Sequence, residues 1–250
     1  LHEDGPLLIV AGAGTGKTTV ITRRIAWLLA TQRAKPHELL ALTFTDKAAR
    51  EMEERVDLLV PYGYLGIPLH TFHAFGDQLV REHALAVGLS PAFGVLSQAE
   101  QLVFLRRHVF DLPLHEFRPL TDPNRFLEAL VTLFARAKDE AVRPAEFLAY
   151  AEELERQAQA APQDEPLRAQ ARRTRELAES YAAYQRLLQQ HDLVDFGDQV
   201  LLAIRLLEDH PEIQAATQAR LRYLLVDEFQ DTNFAQFRLL QLLAAPTANV

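Results

Sequence analysis

Short apolar runs alternate with helical patterning at the start of the chain. Leu7-Leu8-Ile9-Val10 follows a Gly5-Pro6 turn and reads as a buried strand, and Leu39-Leu40-Ala41-Leu42 reads as a second. Gly66-Ile67-Pro68-Leu69 is a weaker third, which Pro68 confines to a sheet edge because it lacks a ladder donor. Between the runs, Ile21, Ile25 and Leu28 recur at i, i+4 and i+7, and Ala48, Met52, Val56 and Leu59 continue that spacing. Each set predicts a helix with one apolar face. Strand, helix, strand, helix at these lengths predicts right-handed crossovers and a parallel sheet, an α/β arrangement.

From about Ser90 to His191 the strand signal is lost. Ser97 with Glu100 forms a capping box, Asp122-Pro123 sets a cap before a first-turn proline, and Pro144 opens a third helix. Pro162 to Pro166 reads as a loop, after which Leu167, Ala171, Leu177, Tyr181 and Leu188 line one side of a helix of roughly twenty or more residues. The block reads as an all-helical insertion. Strand signal returns at Tyr223-Leu224-Leu225-Val226, and Thr232 or Asn233 then caps a helix containing Phe234, Phe237 and Leu240. The boundaries expected from this pattern are an α/β domain in two segments, 1–89 and 192–250, interrupted by a helical insertion over 90–191. There is no internal repeat and no low-complexity tract.

Composition narrows the class. With 250 residues, 48% apolar and 24% charged, and only 10 Gly and 13 Pro, the chain is of folded type and long enough to bury a substantial core. It has no Cys, which excludes disulfides and thiolate metal sites. No stretch approaches the length of a spanning helix and the N-terminus lacks a signal-peptide pattern, so the expectation is a cytoplasmic protein without membrane contact. Against 34 acidic residues stand 26 basic ones, a net charge of −8 that excludes a general coat of positive charge; any nucleic-acid surface must be local. The sequence opens at Leu1, its one Met is Met52, and Thr247-Ala248-Asn249-Val250 reads as the entry to another strand, which suggests an internal fragment.

The first strand runs directly into Ala11-Gly12-Ala13-Gly14-Thr15-Gly16-Lys17-Thr18, followed by Thr19 and a helix. This is the phosphate-loop pattern with Ala in place of the first Gly. Glycines let bare backbone N–H groups close around an anion, and the helix N-terminus adds partial positive charge. Lys17 can reach β- and γ-phosphates, and the Thr18 hydroxyl suits Mg²⁺, a hard cation that takes few protein oxygens beside those of phosphate. Such a loop needs a carboxylate at the tip of another strand and, for hydrolysis, a group to act on water. Asp227, for the Mg²⁺ shell, and Glu228, as general base, follow the strand at 223–226, with Gln230 and Asp231 on the turn after it.

Five blocks in order now carry a resemblance: the loop at 11–18, Thr43-Phe44-Thr45-Asp46-Lys47-Ala48-Ala49-Arg50-Glu51-Met52, His70-Thr71-Phe72-His73, Asp195-Phe196-Gly197-Asp198, and Val226-Asp227-Glu228-Phe229-Gln230-Asp231-Thr232. Together they resemble the UvrD/Rep/PcrA family of superfamily 1A DNA helicases over essentially the whole chain. The resemblance implies a RecA-like P-loop NTPase domain with an inserted helical subdomain, using ATP and Mg²⁺. It implies that Thr43, Phe44, Thr45 and Lys47 contact or support single-stranded DNA, and that Thr71, Phe72 and His73 form a second DNA block. Hydroxyls can bind phosphates and an aromatic ring can stack on a base, although Phe44 at the end of an apolar run reads equally well as core. Two histidines three apart without a third ligand do not read as a metal site. Asp195 and Asp198 mark the return from the insertion, where Asp195 is as well placed to cap the next helix as to face DNA.

Two positions depart from the family pattern. Position 46 is Asp where Asn is frequent, and Thr19 stands where close relatives often carry an Arg near the adenine. The glutamine motif that reads adenine is expected upstream of Leu1, and the Gly-Asp-x-x-Gln block and a second RecA-like domain with arginine fingers are expected after Val250. The implied function is the N-terminal motor part of an ATP-dependent helicase or translocase moving 3′ to 5′ on single-stranded DNA or a duplex with a single-stranded tail. The isolated piece is expected to be nearly inactive without the arginine fingers. A helicase subunit of a RecB or AddA type helicase-nuclease, or a nucleotide-controlled DNA-binding module without motor activity, shares the same blocks.

Overall fold

The computed structural model describes residues 5–12, 14–60, 66–117, 123–244 and 249–250. In chain order its elements are α1 (Lys17–Ala30), β1 (Leu39–Thr43), α2 (Asp46–Asp57), β2 (Leu69–Thr71), α3 (Phe72–Glu82), β3 (Gly94–Leu96), α4 (Gln98–Arg107) and α5 (Pro123–Asp139). They continue with α6 (Pro144–Ala160), α7 (Glu165–Gln190), β4 (Leu193–Asp195), α8 (Phe196–Asp209), α9 (Pro211–Arg220), β5 (Tyr223–Val226) and α10 (Phe234–Leu243). Helices and parallel strands are mixed, and the chain divides into two compact units, 1–80 with 202–250, and 81–201. Among the described residues no helix is long and apolar enough to cross a membrane.

In the first unit β2, β1 and β5 form a parallel sheet in that order, with Leu39 opposite Tyr223 and Ala41 opposite both Leu69 and Leu225. All five residues of β1 are buried, as a central parallel strand covered on both faces requires. Ile25, Leu28 and Leu29 of α1 and Met52 and Val56 of α2 join Leu39, Ala41 and Tyr223 in one core, so both helical spacings place their apolar faces on the sheet. Leu59 falls beyond the end of α2 and is 48% exposed. The weak third run is an edge strand as expected, but its ladder begins at Leu69. Pro68 contributes only its carbonyl, which accepts from the Ala41 N–H at 2.9 Å.

One strand expectation is corrected. Leu7, Leu8, Ile9 and Val10 form no strand and are exposed, Val10 to 87%. Their ladder consists of the Leu7 N–H donating to the Val250 carbonyl at 2.7 Å. Asn249 in turn bridges Tyr223 in parallel. Apolar composition alone does not make a strand; a ladder also needs a neighbour that presents a run of donors and acceptors. The rest of the expected terminal strand, 247–248, lies outside the described residues.

The second unit packs helices around Phe104, Leu105, Leu127, Leu130, Tyr181, Tyr184 and Leu188. The Phe134 ring stacks on both Tyr181 and Tyr184, at 5.2 and 5.1 Å between centroids. The expectation of an all-helical insertion is corrected here, because β3 and β4 pair in parallel, Gly94 opposite Leu193. Strands of three residues are too short to show alternation, and pairing across almost the whole unit leaves no local signature. Two helix starts were readable: Ser97 and Glu100 exchange the reciprocal bonds of a capping box, and Pro144 opens α6. The loop expected over 162–166 gives way earlier, because the Asp164 carboxylate accepts from the Leu167 N–H at 3.0 Å and starts α7 at Glu165. Asp122 lies outside the described residues. Glu176 of α7 is buried and its carboxylate accepts three successive backbone N–H groups, those of His115, Glu116 and Phe117, at 2.7 to 3.0 Å.

Candidate functional site

The residues read as a phosphate loop join the exposed run at 7–10 to α1. Gly14 and Gly16 have φ of 72° and 92°, left-handed values that an L side chain adopts only with strain. Gly16 caps α1, whose first residue is Lys17 and whose first turn holds no acidic side chain. The Thr15 hydroxyl donates to the Gly12 carbonyl at 2.7 Å and tightens the turn. Ala11 is half-buried while Gly12, Gly14, Thr15, Gly16 and Thr19 are exposed; Ala13 lies outside the described residues.

β5 delivers the acidic pair. The Asp227 N–H extends the ladder by donating to the Leu42 carbonyl at 3.0 Å, which buries Asp227 at the tip of the sheet beside the end of β1. Glu228 then takes a left-handed conformation, φ 52° and ψ 41°, unusual for a residue with a side chain, with its N–H on the Asp227 carboxylate at 3.0 Å. The turn aims two side chains at α1. The Thr18 hydroxyl donates to Asp227 Oδ2 at 2.9 Å, and Lys17 Nζ donates to Glu228 Oε2 at 3.0 Å. Gln230 Nε2 donates to the same Glu228 oxygen and, at 3.2 Å, to Asp231 Oδ2. The bonds from Gln230 and then Lys17 hold the Glu228 carboxyl below its ordinary range, so it is an ionised acceptor near neutral pH.

The residues expected to meet nucleic acid divide by exposure. Thr45 and Lys47 are exposed; Thr45 caps α2 by accepting from the Ala48 N–H at 3.1 Å, and Lys47 has its side chain 87% exposed beside Glu51. Phe44 and His73 are half-buried. Thr43 and Thr71 are buried, the Thr71 hydroxyl accepting from the Ala74 N–H at the start of α3. Phe72 is 1% exposed and its ring lies against Phe44 at 5.6 Å between centroids. Stacking on a base needs a free ring face, which buried Phe72 does not present here; its ring packs against Phe44. Burial pushes the His73 imidazole down to about 4 against the opposing pull of Asp46, and burial also lowers His70.

Asp195 and Asp198 belong to the second unit. Each accepts the other's backbone N–H, at 2.9 and 3.1 Å, which fixes the start of α8 and bears out the capping reading of Asp195. Both also hold the ammonium of buried Lys138. Nothing in the patterning singled out Lys138, one cation in the last turn of an amphipathic helix. The available signal was Gly197, because a glycine between two carboxylates marks a close approach.

The family described as UvrD/REP helicase N-terminal domain matches residues 1–250. The chain belongs to that family. Among curated relatives, it is 34% identical over 250 residues to the ATP-dependent DNA helicase PcrA of Leuconostoc citreum, covering 99% of this chain and 30% of that protein. It is 34% identical over 248 residues to the PcrA of Bacillus subtilis, with the same coverage, and 35% identical over 253 residues to the DNA helicase II of Rickettsia typhi, covering 35% of that protein. The chain thus spans about a third of the length of the relatives it matches.

Proposed function

We propose that these residues form the N-terminal motor part of an ATP-dependent DNA helicase or translocase that moves 3′ to 5′ on single-stranded DNA in the cytoplasm, completed by a C-terminal RecA-like domain. In this reading residues 1–89 and 192–250 make the first RecA-like domain and 90–191 its inserted subdomain. The observation that carries the reading is the double contact of consecutive loop residues with consecutive acids, Lys17 with Glu228 and Thr18 with Asp227, across 211 and 209 positions. No packing need explains four polar side chains meeting at one sheet tip, whereas phosphoryl transfer uses all four.

Gly12, Gly14, Gly16 and the N-terminal N–H groups of α1 receive the triphosphate, and Lys17 pairs with its outer phosphates. Thr18 and Asp227 present an oxygen-only donor set that fits Mg²⁺, which when bound supplies charge neutralisation at the phosphate oxygens. Glu228 orients and deprotonates the attacking water, and Gln230, bonded to Glu228, reports on the state of that carboxylate. Thr45, Lys47, Phe44 and His73 face the strand, and Thr43, Thr71 and Phe72 hold that surface from below.

The test is single-strand-dependent ATP hydrolysis by the full-length protein, wild type against Glu228→Gln. Loss of a general base lowers turnover by about 10² to 10⁴ while leaving nucleotide binding in place. Hydrolysis that DNA does not stimulate in the wild type would sink the motor reading.

A further inference from the structure

The block at 195–198 has a second partner set that nucleotide chemistry leaves unused. Lys138, Asp195 and Asp198 are 1%, 4% and 2% exposed. Lys138 Nζ bonds Asp195 Oδ2 and, at 2.8 Å, Asp198 Oδ1. From α7 the Tyr184 hydroxyl donates to Asp195 Oδ2 at 3.0 Å and the Gln185 amide to Asp198 Oδ1 at 3.1 Å. Among the described residues, the buried Tyr181 phenol of α7 also feels the charge of Asp198 and Asp195, and Glu146 of α6 acts on it too. Gly197 makes the approach possible, since a Cβ there would stand 2.9 Å from Lys138 Cδ and 3.1 Å from its Cβ. The charge count does not close: one ammonium faces two carboxylates away from water, an arrangement that leaves one anion uncompensated.

We propose that Lys138, Asp195 and Asp198 form a proton-responsive clamp in the second unit, in which Asp198 takes up one proton on mild acidification and balances the site. Burial and then the neighbouring Asp195 charge push Asp198 up to about 6 from its ordinary 3.8. Burial also opposes the charge on Asp195, but Lys138 overrides it and holds that carboxyl low, so Asp195 keeps its charge across the same window. Between 3.8 and about 6 the folded chain therefore binds more protons than the unfolded one. The Asp198 contribution to stability is complete below that window and is lost as pH rises through it.

The experiment compares hydrogen-exchange protection of α5 amides and of the first turn of α8 in full-length wild type and Asp198→Asn, at about pH 5 and about pH 7.5. Relative to the variant, wild-type protection is expected to be about tenfold or more greater at the lower pH than at the higher. A ratio that does not change with pH overturns the clamp. Carboxyl NMR of aspartate-labelled wild type keeps the question decidable if the variant does not fold. One buried carboxyl titrating at about pH 5 to 7 supports the proposal, and all of them titrating below about pH 4.5 overturns it.

Discussion

Lys17 Nζ lies 3.0 Å from Glu228 Oε2, so the cation suited to phosphate is held by the acid suited to water. In the proposed cycle the two cannot serve each other and the substrate at once. Triphosphate entry moves Lys17 onto phosphate and releases Glu228 toward the nucleophile. Replacing Lys17 removes a charged partner worth about 1.5 to 3 kcal/mol, and Lys17→Met in the full-length protein is expected to weaken ATP binding by about 10- to 100-fold, read by calorimetry.

Gln230 is the first cause of the lowered Glu228 carboxyl, ahead of Lys17. A depressed acid keeps its charge until pH falls below its ordinary range, so the acidic limb of the ATPase profile is expected to lie low in wild type. Gln230→Leu removes the amide donor and is expected to move that limb to higher pH. An unchanged limb would separate Gln230 from the acid it bonds.

Lys47 is an exposed cation of the candidate DNA face, and its ammonium lies 3.8 Å from Glu51. If it neutralises one phosphate, Lys47→Ala weakens single-strand binding equally for all sequences and lowers the slope of log affinity against log salt by about 0.7. Phe44→Ala, by contrast, is expected to cost about 1 to 3 kcal/mol of binding with the salt slope unchanged. Fluorescence titrations at several salt concentrations distinguish the two.

Phe72 and Phe44 are in ring contact, yet Phe72 alone is fully buried. Phe72→Ala opens a cavity in the first unit and is expected to cost about 3 to 5 kcal/mol of stability. Denaturant unfolding of both alanine variants should show the larger loss at 72.

His73 has a folded value of about 4 against 6.5, so the unfolded chain binds the extra proton between them. Its contribution to stability is present above pH 6.5 and is lost as pH falls toward about 4. His73→Gln is expected to flatten that loss in melting experiments run across the window.

How much the sequence disclosed follows from how local each signal is. The phosphate loop, the acidic strand end and the capping pairs at Ser97 and Asn233 are defined by residues within a few positions of one another, and each was legible. β1 and β5 were legible too, as continuous apolar runs, the first buried throughout and the second buried at Tyr223 and Leu224. The pairing of β3 with β4 spans most of the second unit and the meeting of Lys138 with Asp195 spans 57 positions, and both are set by tertiary packing that no window of sequence contains. Leu7 to Val10 shows the converse error, where apolar composition promised a buried strand and the residues are exposed without one. The burial of Phe72 was not legible, because an aromatic in a polar block gives no hint of whether it will face the core.

The left-handed backbone at Glu228 has an evolutionary consequence. A residue with a side chain in that conformation carries about 1 to 3 kcal/mol of strain, which glycine or asparagine would relieve. Selection for thermal resistance alone should therefore find position 228 early and enrich substitutions there, yielding sturdier proteins that have lost the carboxylate aimed at Lys17. A library screened for heat tolerance and then sequenced would reveal, through depletion of Glu at 228, where stability and the proposed catalytic role compete for the same turn.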